Sequence, residues 1–322
     1  MRAWCTRIAV AMICFCLLPY HVHGADQLAP GGQVIGLELQ EGSVTVAAFD
    51  DVLGEGCRAA GIAVGDEIKR IDHTNITSSE DVRWALEHSD GTVEIELVRS
   101  GKHHTVTVSP QITADGPRLG VYLRQGVTGI GTVTWYEPES GRFGTLGHGV
   151  NSGKGTLLNM IRGNAYGAKV TSVRKGRSGE PGQLLGSIES RTPIGELTAN
   201  TAHGVFGVTG KNRKTELLPV ADAHEIHTGE AVIRSTVSGD QVREYSVEIL
   251  KIYPKTKNNG RNLLIKVTDE QLLDATGGIV QGMSGSPLVQ DGKLIGAVTH
   301  VLVNDPTMGY GIFIENMLEA AG

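Results

Sequence analysis

At 322 residues the chain is long enough for two domains, and a content of 40% hydrophobic and 20% charged residues excludes wholesale disorder. A formal net charge of −6, with no long basic run, argues against nucleic acid or an anionic membrane surface as a partner. The 44 glycines, set among short Val/Ile/Thr runs with only 5% aromatics, favour a turn-rich, mainly β protein.

The N-terminus reads as a targeting segment. Arg2 and Arg7 precede an apolar run from Ile8 to Leu18 that Pro19 ends. That run has about the length of a signal peptide and is short for a membrane span. Val22 and Gly24 suit cleavage before Ala25, so residues 1–24 are expected to be a signal peptide or, if retained, a membrane anchor. Three of the four cysteines fall in this segment. Cys57 alone remains, so no internal disulfide is expected. Its small-residue surroundings favour a buried side chain over a nucleophile.

Residues 30–111 read as one module. Val34 to Leu39 and Ser43 to Ala48 alternate like strands, and Ala60-Gly61-Ile62 with Gly65-Asp66 follows. Ser78, with Asp81 three residues on, is expected to cap a helix that places Val82, Ala85 and Leu86 on one face. Thr92 to Val98 and His104 to Val108 predict a hairpin about Ser100-Gly101-Lys102. This stretch resembles a PDZ domain, which binds an extended peptide at a sheet edge and receives its terminal carboxylate on backbone N–H groups. The matching loop is expected at Gly31 to Gly36, that is Gly32, Gln33, Val34, Ile35 and Gly36 after the leading glycine.

Pro117 marks a linker. From residue 118 to 322 short β-like runs alternate with glycine-rich turns, and helical periodicity is confined to the regions of Glu270–Ala275 and Ile314–Ala320. Such a pattern suits a double β-barrel.

The strongest chemical signal is Gly282-Met283-Ser284-Gly285-Ser286-Pro287. A serine hydroxyl needs a base within hydrogen-bond reach and donors where an oxyanion will form. In a Gly-x-Ser-Gly loop the N–H groups of Gly282 and Ser284 can converge on one pocket. Ser284 occupies the nucleophile position. Ser286 sits where trypsin-like enzymes often carry a second glycine. For the base, His148 in Leu146-Gly147-His148-Gly149 is favoured over His203. His224 and His227 read as surface residues, and His300 could line the site. Glu189, Glu196, Asp222, Asp240, Asp269 and Asp274 all fall between His148 and Ser284, and spacing does not choose among them. No metal-ligand pattern or phosphate-binding loop is present, so neither metal nor cofactor is expected.

Gly277-Gly278-Ile279-Val280-Gln281-Gly282-Met283-Ser284-Gly285-Ser286-Pro287, with Gly296 to Val301, Val303-Asn304-Asp305-Pro306-Thr307 and Gly309-Tyr310-Gly311, is very similar to the active-site region of the stage IV sporulation protein B (SpoIVB) serine peptidases. The resemblance covers nearly all of the chain after residue 24. It implies a trypsin-like double barrel after the PDZ-like domain, with His148, Asp269 and Ser284 as catalytic residues and no cofactor. It also implies export to the space between mother cell and forespore. The implied substrates are the protein itself, in trans, and a membrane-bound regulator of an intramembrane metalloprotease, whose cleavage triggers a late sigma factor. The alternative is a PDZ-type peptide-binding envelope protein with a silent protease-like domain.

Overall fold

The computed structural model describes residues 27–153, 155–210, 216–256 and 260–322. The signal segment and the cleavage point before Ala25 lie outside the described residues. In chain order the strands are β1 (Gln27–Pro30), β2 (Val34–Phe49), β3 (Glu67–Ile71), β4 (Thr74–Asn75), β5 (Val93–Arg99), β6 (Lys102–Val108), β7 (Gln111–Thr113), β8 (Gly116–Arg118), β9 (Val121–Tyr136), β10 (Arg142–Thr145), β11 (Met160–Arg174), β12 (Gln183–Ile188), β13 (Gly195–Thr201), β14 (Gly204–Val208), β15 (Leu218–Pro219), β16 (Gly229–Ser235), β17 (Arg243–Ile252), β18 (Leu263–Val267), β19 (Pro287–Gln290), β20 (Lys293–Leu302) and β21 (Asp305–Phe313). The helices are α1 (Glu55–Ala59), α2 (Ser79–Glu87), α3 (Glu270–Thr276) and α4 (Ile314–Ala321).

Two six-stranded barrels carry the molecule. The first closes in the order β2, β9, β10, β14, β13, β11 and back to β2. The second closes as β16, β17, β18, β21, β20, β19. Closure removes free sheet edges, and alternate side chains fill each interior. Leu37, Val133, Leu197 and Val205 are buried in the first barrel, and Ile233, Val247, Ile265 and Leu288 in the second. Each such side chain contributes about 1.5–3 kcal/mol on burial.

The PDZ module is inserted between the first two strands of the first barrel. β2 and β9 are both 16 residues long. Their barrel halves pair from Val34 to Gln40 against Thr132 to Gly126, and the pairing then shifts register before resuming from Thr45 against Arg124. A side chain at Gly126 would come within 1.9 Å of the Leu39 carbonyl oxygen, so the strands can cross so closely there only because that residue has none. Beyond this crossing, Val44, Ile68, Ile71, Val82, Ile95 and Leu97 form a separate core. α2 begins with the expected capping box: the Ser78 hydroxyl accepts from the Asp81 amide while the Asp81 carboxylate accepts from that of Ser78. The β5–β6 hairpin turns through Ser100 and Gly101, both at positive φ.

This topology corrects the expected carboxylate loop. Gly32, Gln33, Val34, Ile35 and Gly36 belong to the first barrel, where Val34 to Gly36 pair with β9 and Ile35 and Gly36 also pair with β11. The N–H groups of Gly31 and Gly32 already donate to the carbonyls of Thr134 and Val133, and the Gly32 carbonyl accepts from Thr236. These two amides are thus occupied within the protein. The peptidase unit thus starts before the PDZ module rather than at residue 118, and the module spans about residues 44–124 rather than 30–111. Its groove, about 550 Å³, lies between α2 and the start of β9. The loop Arg118-Leu119-Gly120 closes one end, with Gly120 at φ +67°. Among the described residues, the Leu119 and Gly120 N–H groups donate to no protein acceptor.

Candidate active site

The two barrels meet at the serine loop. Thr132 and Thr134, on β9 of the first barrel, hold a loop of the second. The Thr132 amide donates to the Ser284 carbonyl at 3.0 Å, and its hydroxyl donates to the Gly282 carbonyl at 2.8 Å. The Thr134 hydroxyl donates to the Gly285 carbonyl at 2.8 Å. Gly285, at φ +94°, lies against the Thr132 carbonyl and the Leu146 amide so closely that a side chain would overlap both. The serine loop is therefore pinned to the strand beside the segment that carries His148.

Within the loop, Met283, Gly285 and Ser286 donate their N–H groups to Val280, Val298 and Met283. The N–H groups of Gly282, at φ +99°, and Ser284 have no protein acceptor among the described residues. Both residues line a cavity of about 230 Å³ together with His148. The structure thus brings together His148, Ser284 and the two expected oxyanion donors. Ser286 is fully buried and donates its hydroxyl to that of Ser235, which makes it a structural residue of the second barrel.

His148 is reached through a left-handed turn. Leu146 and Gly147 stand at φ +69° and +67°, and a bulky non-glycine residue in that region is strained. Leu146 is nevertheless buried, so its packing holds the conformation. His148 Nδ1 lies 3.0 Å from its own neighbour's carbonyl, that of Gly149. A carbonyl only accepts, so Nδ1 is the protonated nitrogen and Nε2 keeps the lone pair a general base needs. Burial pushes the His148 pKa below the ordinary histidine value, and the Gly149 carbonyl opposes that only in part. The imidazole is thereby held neutral.

Ser284 does not point its proton at that base. Its hydroxyl donates to the Thr299 carbonyl on β20 at 2.8 Å. The next residue, His300, lies beside His148 with ring centroids 5.2 Å apart. Burial, the neighbouring His148 and the charge of Arg261 push the His300 pKa down to about 4, and its buried Nδ1 has no partner. His203 instead sits in the turn joining β13 to β14, its amide bonded to Thr201.

Asp269 is not brought to His148. It is the N-cap of α3, its carboxylate accepting from Leu272 N–H at 2.9 Å and Ser246 N–H at 3.4 Å. Both acceptor oxygens are directed to backbone amides of the second barrel, so the part it plays in the triad by resemblance is not the part its geometry fits. Five residues of loop separate the end of α3 from Gly282, starting with Gly277 in the left-handed C-cap, so Asp269 fixes the helix that launches the serine loop. Sequence order alone permitted this acid, and nothing in its local sequence distinguishes a triad acid from a helix cap followed by Glu270.

A PDZ domain of an SdrC-like protein from Listeria monocytogenes is similar at 22% identity over 26% of this chain and 90% of that one, with a TM-score of 0.23. The active form of the Rv3671c protease from M. tuberculosis is similar at 16% identity over 61% of this chain and 75% of that one, with a TM-score of 0.37. The HtrA-type protease AlgW, solved with a decapeptide, is similar at 15% identity over 65% and 57%, with a TM-score of 0.37. No curated protein matches the chain in sequence. The family described as SpoIVB peptidase S55 matches residues 115–318, which hold every strand of the two barrels except β2. The chain, a mainly β protein with a PDZ-like domain and a trypsin-like double barrel, belongs to the SpoIVB peptidase S55 family of serine peptidases.

Proposed function

We propose that the protein is a signalling endopeptidase in which Ser284 is the nucleophile, His148 the general base and acid, and the N–H groups of Gly282 and Ser284 the oxyanion hole. One observation carries this reading: the two amides of the serine loop that lack protein acceptors border the same cavity as Ser284 and His148. Rotation of the Ser284 side chain away from the Thr299 carbonyl presents its hydroxyl to His148 Nε2. The oxygen then attacks the scissile carbonyl carbon, its proton passes to Nε2, and the developing oxyanion takes the two N–H bonds. Collapse expels the amine, which carries off the proton from His148. A water molecule repeats the sequence to free Ser284.

The Gly149 carbonyl supplies the orientation usually given by a carboxylate, since it fixes which nitrogen of His148 is protonated. The PDZ groove between α2 and β9 would receive an extended C-terminal segment of a protein partner, its carboxylate on the amides of Leu119 and Gly120. Family membership supports a membrane-bound regulator and the protein itself, in trans, as substrates. The signal-like residues 1–24 support export to the space between mother cell and forespore.

The test is self-cleavage of the purified full chain. The wild type should give discrete fragments that Ser284→Ala does not, and fragments should reappear when active chain is added to the alanine variant. Identical fragments from the two proteins kept apart would contradict the assignment.

A further inference from the structure

A second and larger cavity, about 1020 Å³, opens on the other flank of His148. Its contrast with the first is chemical. The cavity holding Ser284 is walled by aliphatic side chains such as Leu37, Leu39, Val127 and Ile130. The larger one is walled by His300, Asn151, Tyr253, Arg261 and Tyr310, and among the described residues no carboxylate lines it. The Arg261 guanidinium lies 5.4 Å from the centroid of the Tyr310 ring, which holds it at the cavity wall. The Lys251 ammonium stands over the Tyr253 ring at 5.1 Å and adds a second positive charge close by. Lys255, four residues along the same strand exit, is paired with Glu315 and Glu319, whereas Arg261 has no acidic partner among the described residues. Its positive charge acts on His300, the neighbour of His148 in the same cavity.

We propose that Arg261 reads an acidic side chain, Asp or Glu, at one fixed position near the scissile bond of the substrate. This rests on the peptidase reading above. A peptide lying across Ser284 and His148 borders both cavities, since His148 lines each of them. The aliphatic one takes an apolar residue, and the Arg261 one takes a carboxylate through a charge-assisted hydrogen bond. The tyrosine rings of the same cavity suit the aliphatic stem of Glu. Arg261 is exposed enough for salt to screen it, so the preference should weaken as ionic strength rises.

The experiment uses the full chain on a mixed peptide library, with each cut mapped by mass spectrometry. Synthetic peptide pairs carrying Glu or Lys at the preferred position follow. The wild type should cleave the Glu peptide faster at low salt by a factor on the order of five. Arg261→Gln should bring the ratio near one, and Arg261→Glu should invert it. Each ratio is internal to one protein, so partial loss of folding cannot mimic an inversion. Cleavage with no acidic preference, or a preference unchanged in Arg261→Glu, overturns the inference and leaves the peptidase reading standing. Absence of cleavage by the wild type would remove that reading, and this inference with it.

Discussion

Thr132 and Ser284 belong to different barrels, yet the amide of the first holds the carbonyl of the second while its hydroxyl holds the carbonyl of Gly282. A fully buried strand residue therefore anchors, through its hydroxyl and its amide, the carbonyls of the two residues whose N–H groups are proposed as the oxyanion donors. Thr132→Val keeps the shape and removes the hydroxyl, leaving the Gly282 carbonyl without that donor. The expected cost is about 1–3 kcal/mol in stability, with kcat falling more than KM rises. Thr132→Ser should restore most of both. Chemical unfolding and peptide kinetics on the three proteins check this.

Asp269 gives a sharper prediction, because two roles differ in which substitutes they tolerate. As the N-cap of α3, Asp269→Ala should cost about 1 kcal/mol in stability and lower activity by loosening the serine loop. Asn and Ser cap helices nearly as well as Asp, so Asp269→Asn and Asp269→Ser should retain most of the activity. A triad acid does not tolerate such exchange: the amide favours the wrong tautomer of the histidine and costs about 10⁴ in kcat. Parallel kinetics and melting of the three variants separate the roles.

Much of this site was legible in the sequence. The Gly-x-Ser-Gly loop and the glycines about His148 are local signals, and α2, α3 and α4 form close to where capping and periodicity place them. What the sequence left ambiguous depends on long-range register. Gly31 to Gly36 and Arg118 to Val121 are both glycine-bearing turns before an alternating strand. Only the pairing of β2 with β9 and β11 assigns the first to a barrel and leaves the second at the groove. The Ser246 donor to Asp269 was hidden for the same reason, since it is 23 residues away and meets the carboxylate only through the pairing of β17 with β18. Arg261 carries no motif, and its standing comes from the cavity it shares with His148 and His300.

The pH dependence follows from His148 and His300. Burial lowers the folded-state pKa of His148, so the basic form persists below pH 6.5. The acid limb of kcat/KM should therefore have its midpoint below the ordinary histidine value. His300, pushed down to about 4, is also lowered on folding. Below about pH 6.5 the unfolded chain binds that proton and the folded chain does not. Stability should thus be unaffected above this value and fall as pH drops toward 4. His300→Phe should flatten that part of the stability profile.

Cys57 should be inert while the protein is folded. It is buried, its thiol donates to the Leu119 carbonyl at 3.0 Å, and burial pushes its pKa up to about 11. The thiolate that reacts is then nearly absent at neutral pH. Alkylation by iodoacetamide, followed by mass spectrometry, should modify Cys57 in denaturant and spare it in buffer.

In the proposed mechanism Ser284 is the nucleophile, activated by His148. A fluorophosphonate probe reports this directly, because it bonds covalently to an activated serine. The full chain, treated with the probe and digested for peptide mass spectrometry, should carry a single adduct on Ser284. His148→Ala should abolish it, and Ser286→Ala should leave it in place. An adduct on Ser286, or labelling of Ser284 that survives His148→Ala, would contradict the account.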